Sequence, residues 1–546
     1  MNAMKTEQVR QVRRAALAAG VGAALVGGVL LFVPDRGEGS RTPTPQERAL
    51  AAVSAGAPAS LPDLDALIQD REKWLRTHPE DSTAWAVLGA AYVERGERRG
   101  DSAYYSKADE ALRRSLKGPP VGAAGPEDHG ARAAEDADGD GGTDSGTDDG
   151  DDGKQGGLGA PARTQALAGL ASLANARHDF TTAKKWGETL RARQPKAWTA
   201  YPVLIDAYTG LGDYKAAGKA LDKLKELRPG TPAVLERAVS VYRDRGWRED
   251  AEAKADEAAA HAGSPTAKAE ALYALGELAW ERGEPTEAMG HYDAALATAR
   301  DHPASLAGRA RALAALSRTD EAYRDYQAAL AKLPRPEYAL ELGELYDANG
   351  LDGDAHTQYA TLRARAARAQ GHGVNEELVL ARFEADHGSP TAAVARLRAE
   401  WARHHRSMEV ADALGWALYR AGHGQEALKY AKKATEQGRR SALFLYHRGE
   451  IERSLELYGP ARRHVGEALR VNPYFSPLLA PRALAALESL GEPEEGGPRD
   501  VEGEGSTPQP AEVARPTKPA AQPAGTPPAT PPLTRPVPPP ATPSPS

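Results

Sequence analysis

The sequence predicts an all-α fold, a solenoid of helix-turn-helix repeats, and three observations carry that prediction. Leu167, Leu170, Ala171, Phe180, Ala183, Leu190 and Pro195 return, 34 positions on, as Tyr201, Leu204, Ile205, Tyr214, Ala217, Leu224 and Pro229. Within each copy the bulky residues stand three and seven positions apart, which places them on one face of a helix. Each copy closes on a proline, which denies the next turn its hydrogen bond and ends the second helix. A fixed period of this length means units that bury their faces against neighbours, so function belongs to an extended surface and not to a single deep pocket.

Composition narrows the function classes. The 546-residue chain has 27% charged residues, a mean hydropathy of -0.56 and no cysteine. Disulfides, thiolate metal sites, cysteine nucleophiles and anchoring through a lipidated cysteine are thereby excluded. Fifty Arg against 19 Lys, with abundant Ala and Gly, hint at a GC-rich bacterial genome. The net charge of -7 is concentrated: residues 121–153 hold eleven Asp and Glu against the single Arg132. No concentrated basic face exists, which speaks against nucleic-acid binding.

Residues 15–33 (AALAAGVGAALVGGVLLFV) carry no charge, follow Lys5, Arg10, Arg13 and Arg14, and precede Pro34, Asp35 and Arg36. Nineteen residues at about 1.5 Å rise span a hydrocarbon core of about 30 Å. No small-residue cleavage site follows directly, so the segment reads as a retained signal anchor; a cleaved signal peptide and a buried solenoid helix are the competing readings. The basic residues 1–14 place that end in the cytoplasm and the rest of the chain outside it.

Residues 34–60, rich in Pro, Gly, Ser and Ala, read as a flexible spacer. From 61 to 120, a cap helix carrying Leu64, Leu67, Ile68, Trp74 and Leu75 leads into the first complete unit, where Trp85, Leu88, Gly89 and Tyr92 match W-x2-L-G-x2-Y letter for letter. Its second helix comes late, as Ala108, Leu112, Ser115, Leu116 and Pro120. Units two to ten occupy residues 161–476. The weakest lies near Leu380, where Glu377 and Glu384 stand in place of bulky apolar residues. Residues 477–491 form a capping helix.

In spacing and residue type this array resembles the tetratricopeptide repeat family across residues 61–476, the insertion excepted. The resemblance implies an α-solenoid of about ten repeats, no catalysis, no cofactor, and a protein or peptide ligand held on the concave face formed by the first helices. Counting from each unit's start places Glu236, Tyr273, Glu277, Trp280, Arg311, Glu344, Asp347, Arg382, Trp416, Tyr419 and Glu450 on that face. Aromatics and Arg in a groove serve as recognition anchors, while Trp280 and Trp416 are equally suited to packing between units. The Lys/Asn arrangement by which some members hold a C-terminal carboxylate is absent.

Two segments stand outside the solenoid. Residues 121–160 are too poor in apolar groups to form a core and read as a disordered acidic linker. Within them Asp136, Asp138, Asp140 and Gly141 resemble the start of a calcium loop, but Thr147 occupies the place of the bidentate Glu. Residues 492–546 contain seventeen prolines, 493 onward, and read as a disordered, extended tail. No phosphate loop, HExxH or nucleophile elbow occurs, and the His404-His405 pair reads as a solvated helix end, since adjacent helical positions diverge by about 100°. The function expected is that of an extracytoplasmic, membrane-held interaction scaffold or assembly factor; the alternatives are a secreted soluble binder and a calcium-responsive protein.

Overall fold

The computed structural model describes residues 42–117 and 160–491, all within one unit of the chain. The described residues form 23 helices and no strand. Local chemistry starts most of them. Asp179, Asp213 and Ser264 accept hydrogen bonds from the backbone N–H of Thr182, Ala216 and Ala267 at 3.1, 3.0 and 3.1 Å, satisfying donors that a helix start leaves orphaned. Pro232, Pro265, Pro303 and Pro390 open helices where a missing N–H costs nothing.

Two leading helices, α1 (Pro45–Ala55) and α2 (Leu61–Thr77), precede ten hairpins. In order these are α3 (Ser82–Arg99) with α4 (Ala103–Lys117), α5 (Ala160–Ala176) with α6 (Phe180–Arg193), α7 (Ala200–Gly210) with α8 (Tyr214–Leu227), α9 (Pro232–Asp244) with α10 (Arg248–Ala260), and α11 (Pro265–Glu281) with α12 (Pro285–Thr298). Then come α13 (Pro303–Ala315) with α14 (Thr319–Lys332), α15 (Pro336–Ala348) with α16 (Asp352–Gln370), α17 (Glu377–His387) with α18 (Pro390–Ala402), α19 (Met408–Arg420) with α20 (Gly424–Ala434), and α21 (Ala442–Ser454) with α22 (Tyr458–Val471). Helix α23 (Leu479–Leu490) closes the array.

Helix α1 lies where the composition of residues 34–60 suggests a spacer. Thr44 and Glu47 form a capping box: the Thr44 N–H donates to Glu47 Oε2 at 2.7 Å, the Glu47 N–H donates to Thr44 Oγ1 at 3.4 Å, and Ala49 is fully buried. The unit near Leu380 also forms a full hairpin. Its two glutamates are put to polar use, Glu377 pairing with Arg396 at 2.7 Å and Glu384 accepting from the Ser389 N–H at 2.9 Å, while Phe383 fills the core. His405 departs from the solvated end expected of it. It is buried, its Nδ1 is 2.5 Å from Glu400 Oε2, and its ring meets Phe180 edge-on; burial lowers its pKa. The expected membrane segment 15–33, the linker up to 159 and the tail from 492 lie outside the described residues. Among the described helices none is long and apolar enough to cross a membrane.

Units interlock through aromatic wedges. Tyr292 is fully buried between Gly276 of its own hairpin and Gly308 of the next; a Cβ on either glycine would stand 2.4 or 2.6 Å from the ring. Tyr359 uses Gly343 in the same way, at 2.4 Å. Such close approach is why the small residue follows the middle apolar one in the repeat.

The hairpins also wind so tightly that successive superhelical turns touch. Five consecutive intra-unit turns, at Gly100, Arg177–His178, Gly212, Gly246 and Gly283, rest on five consecutive inter-unit connections at Leu333–Pro334, Gly373–Asn375, Arg406, Gly438 and Asn472. The Met408 N–H donates to Tyr214 Oη at 2.8 Å across 194 residues, Arg248 Nη2 to the Arg440 carbonyl at 3.0 Å across 192, and Asn472 Nδ2 to the Trp280 carbonyl at 2.7 Å across 192. One superhelical turn therefore takes between five and six repeats of roughly 34 residues. At Gly212 and Gly246 two demands coincide. Both have φ of +76°, and a Cβ would come within 2.2 Å of the Arg406 and Gly438 carbonyl oxygens.

Candidate partner-binding site

The first helix of each hairpin faces the inside of the superhelix, and there the structure gathers the candidate residues into two groups with different fates. In the middle of the array, α11, α13 and α15 bring Tyr273, Glu277, Trp280, Arg311, Glu344 and Asp347 into one network. Glu277 accepts from Tyr292 Oη at 2.7 Å and pairs with Arg311, whose guanidinium also lies 3.8 Å from Glu341 and 5.6 Å from the centre of the Trp280 ring. Tyr359 Oη donates to Asp347 at 2.5 Å, and His387 sits 3.6 Å from Glu344 and 3.5 Å from Asp347. The polar tips are thus spent on one another, and Trp280 is 9% exposed. Tyr273 packs edge-on to His302 and tilted against Tyr292. Arg382 stands apart from both groups, contributing positive potential to the half-buried Glu409 carboxylate that Arg439 holds at 2.9 Å.

The second group is open. Helices α19, α21 and α23 enclose a cleft of about 660 Å³ at the C-terminal end of the inner face. Trp416 forms its floor, buried, stacked on His447 with ring centres 4.1 Å apart, and donating from Nε1 to Asp386 Oδ1 at 3.0 Å. Tyr419, half-buried and 5.1 Å from Trp416, offers its ring to the cleft. Glu450 lines it too, buried and held by Arg453 at 2.7 Å. Tyr446, Arg420, Arg453 and Arg482 complete the lining. Arg420 leans on Asp386 at 3.4 Å, while Arg482 is exposed on the rim and has no ion pair among the described residues. Arg420, Tyr446, Arg453 and Arg482 are not among the residues the sequence singled out. Arg453 follows Tyr419 by one repeat length, so the periodicity does point to it; Arg482 lies in the final helix, where the period has ended.

Glu236, the remaining inner-face candidate, belongs to a third region, at the first rungs between turns. Arg237 holds Asp206 at 2.9 Å and Glu236 at 2.8 Å, and Arg98 reaches 3.7 Å from Glu270. Burial pushes the Glu236 and Glu376 carboxyls up to about 7. The sign of the resulting pH dependence follows by linkage. A carboxyl raised above its ordinary 4.5 binds more protons in the folded state, so its contribution is full below 4.5 and is lost as pH rises through 7. Thermal midpoints are expected to fall between pH 5 and 7.5, and Glu236→Gln with Glu376→Gln to flatten that slope. A midpoint that rises over this range contradicts the reading. Glu270, Glu281 and Glu409, whose carboxyls are depressed by cationic neighbours against the pull of burial, act in the opposite sense and only below 4.5.

Among the described residues no group of His, Asp or Glu is arranged to hold a metal ion. The calcium-like segment 136–147 lies outside them. No protein-family model and no curated protein matches the chain. Among solved structures it resembles a tetratricopeptide repeat protein from Parabacteroides merdae at 18% identity, over 48% of this chain and 99% of that one, with a TM-score of 0.29. It also resembles Pseudomonas aeruginosa PilF, at 17% identity over 38% and 95% with a TM-score of 0.31, and the APC/C hetero-tetramer Cut9-Hcn1, at 13% over 82% and 84% with a TM-score of 0.36. Likeness at such identities is likeness of fold alone.

Proposed function

We propose that this chain is a non-catalytic tetratricopeptide-repeat scaffold that holds a segment of a partner protein on the inner face of its superhelix, at the C-terminal end. The cleft between α19, α21 and α23 carries the proposal. There the half-buried Tyr419 and three arginines from three adjacent layers line a cleft over the buried rings of Trp416 and Tyr446. Rigid aromatic rings beside arginines give large contact area at low entropic cost, which is what a protein-binding hot spot needs. The 34-residue period and the Trp85 to Tyr92 motif support the family. The apolar residues 15–33 behind a basic start support a scaffold held at a membrane with its repeats on the non-cytoplasmic side.

The test is affinity capture with the full chain. Tyr419→Ala combined with Arg482→Ala removes an open ring and an unpaired charge from the rim, so partner recovery is expected to drop about tenfold, a loss of about 1.4 kcal/mol, with unchanged helicity. Equal recovery by the double variant would move the binding surface elsewhere.

A further inference from the structure

The C-terminal cleft holds more hydrogen-bond donors than acceptors. Glu450 is spent on Arg453, whose Nε and Nη2 reach it at 3.0 and 2.7 Å, and Asp386 is spent on Trp416 Nε1 and Arg420. Among the described residues that leaves Arg482 without an ion pair and the hydroxyls of Tyr419 and Tyr446 without a hydrogen-bond partner. Tyr446 lines the cleft yet is only 3% exposed, a nearly buried hydroxyl with no acceptor of its own. An occupant that completes this site brings carboxylates.

The chain itself carries carboxylates beside the cleft. Helix α23 turns Arg482, Ala485, Ala486 and Ser489 toward it, and Glu492, Glu494 and Glu495 follow Ser489 within six residues. Arg462, which has no ion pair among the described residues either, donates from Nη2 to the Leu490 carbonyl at 2.7 Å and sets a second cation where that segment begins. Gly491 ends the helix with φ of +66°, a conformation that glycine enters freely and that lets the chain reverse. From Ser489 back to Arg482 is about 10 Å along the helix, at about 1.5 Å per residue. Four extended residues beyond Gly491 span about 13 Å. The acidic residues 121–153 belong instead to the connection between the first two hairpins.

We propose that Glu492, Glu494 and Glu495 occupy the C-terminal cleft of their own chain, pairing with Arg482 and accepting from the tyrosine hydroxyls, so that a partner segment binds by displacing them. This self-occupancy rests on the reading of the cleft as the interaction surface and gives that surface a built-in competitor. Pro493 favours extended backbone at Glu492, and in an extended chain residues two apart share a side, so Glu492 and Glu494 project together. So short a tether gives an effective concentration on the order of 1 mM, and an intrinsic affinity of about 0.1 mM then fills the cleft in about nine molecules of ten. Any other ligand of the cleft loses about tenfold in apparent affinity.

The experiment titrates a synthetic peptide of residues 491–496 (GEPEEG) into the fluorescently labelled full chain and into its Glu492→Gln/Glu494→Gln/Glu495→Gln variant, read by thermophoresis. The substitutions lie outside the described helices and leave residues 121–153 unchanged, so any effect of that acidic stretch is common to both proteins. The triple variant is expected to bind the peptide about tenfold more tightly than wild type, and the binding to weaken between about 50 and 300 mM salt. Adding Arg482→Ala to the triple variant is expected to cancel the gain, and a peptide with Gln at the three Glu positions to bind neither protein. Equal affinity of wild type and triple variant overturns the proposal, because the cleft is then empty of its own chain. So does a failure of the peptide to bind either protein, or equal binding by the Gln peptide. Partner capture separates this result from the reading it rests on. If the peptide gain is absent while capture depends on Tyr419 and Arg482, only self-occupancy is wrong; if the gain is present while capture ignores those residues, the cleft holds its own chain and the partner binds elsewhere.

Discussion

Alanine at Gly246 is expected to lower the unfolding free energy by about 3 kcal/mol, against about 1 kcal/mol for alanine at Gly350. Both glycines sit in intra-unit turns with positive φ, +76° and +72°, so both substitutions meet the cost of a left-handed residue, roughly 1–2 kcal/mol. They differ in what lies opposite. At Gly246 the new Cβ would stand 2.2 Å from the Gly438 carbonyl oxygen, a backbone atom that yields only if one superhelical turn lifts off the next, whereas at Gly350 nothing lies within 4 Å. Overpacking of a fixed contact adds about 1–3 kcal/mol. Urea unfolding of the pair isolates the rung, and X-ray scattering should show a larger radius of gyration for the Gly246 variant alone. Equal losses would mean that the turns do not bear on one another in solution.

The second large effect is expected at Arg439, which joins both turns electrostatically. Its guanidinium lies 2.6 Å from Glu281, 2.9 Å from Glu409 and 3.8 Å from Asp244. Burial holds Asp244 up at about 6, while Arg439 keeps Glu281 and Glu409 low despite their burial. Arg439→Met would leave these carboxylates with only the longer contacts of Arg243, 3.8 Å from Asp244 and 4.0 Å from Glu281, for a loss of about 3 kcal/mol, the lower end of what a broken buried pair costs because Arg243 and some solvent contact remain. Adding Glu281→Gln and Glu409→Gln should restore most of it. If the triple variant is no better than the single one, the loss is packing by the arginine stem and not charge.

The repeat itself was legible because helix pairing within 34 residues is local: apolar spacing, Asp and Ser caps and terminal prolines all act within one unit. The Thr44 and Glu47 capping box is equally local, yet the surrounding Pro, Gly and Ser made residues 34–60 read as a spacer. Tyr273, Glu277, Trp280 and Arg311 could be placed together on the inner face from their register. Whether Trp280 would be open or sealed could not, since that depends on the superhelical pitch, the sum of small rotations between units that no single unit encodes. Contacts across some 192 residues leave no periodic trace, and this is why the rungs between turns emerged only from the fold. Arg482 lies beyond the period altogether.

The rungs between turns change what kind of object the array is. An open solenoid behaves as a chain of beads, in which a unit can be added or deleted and only its two neighbours notice. Here the coils lie at solid height, like a spring fully compressed. A unit inserted between Gly246 and Gly438 would slide each later connection one step out of phase with the turn beneath it. The length of this protein is therefore held by geometry as well as by function, and pulling on its ends would meet a threshold before any extension.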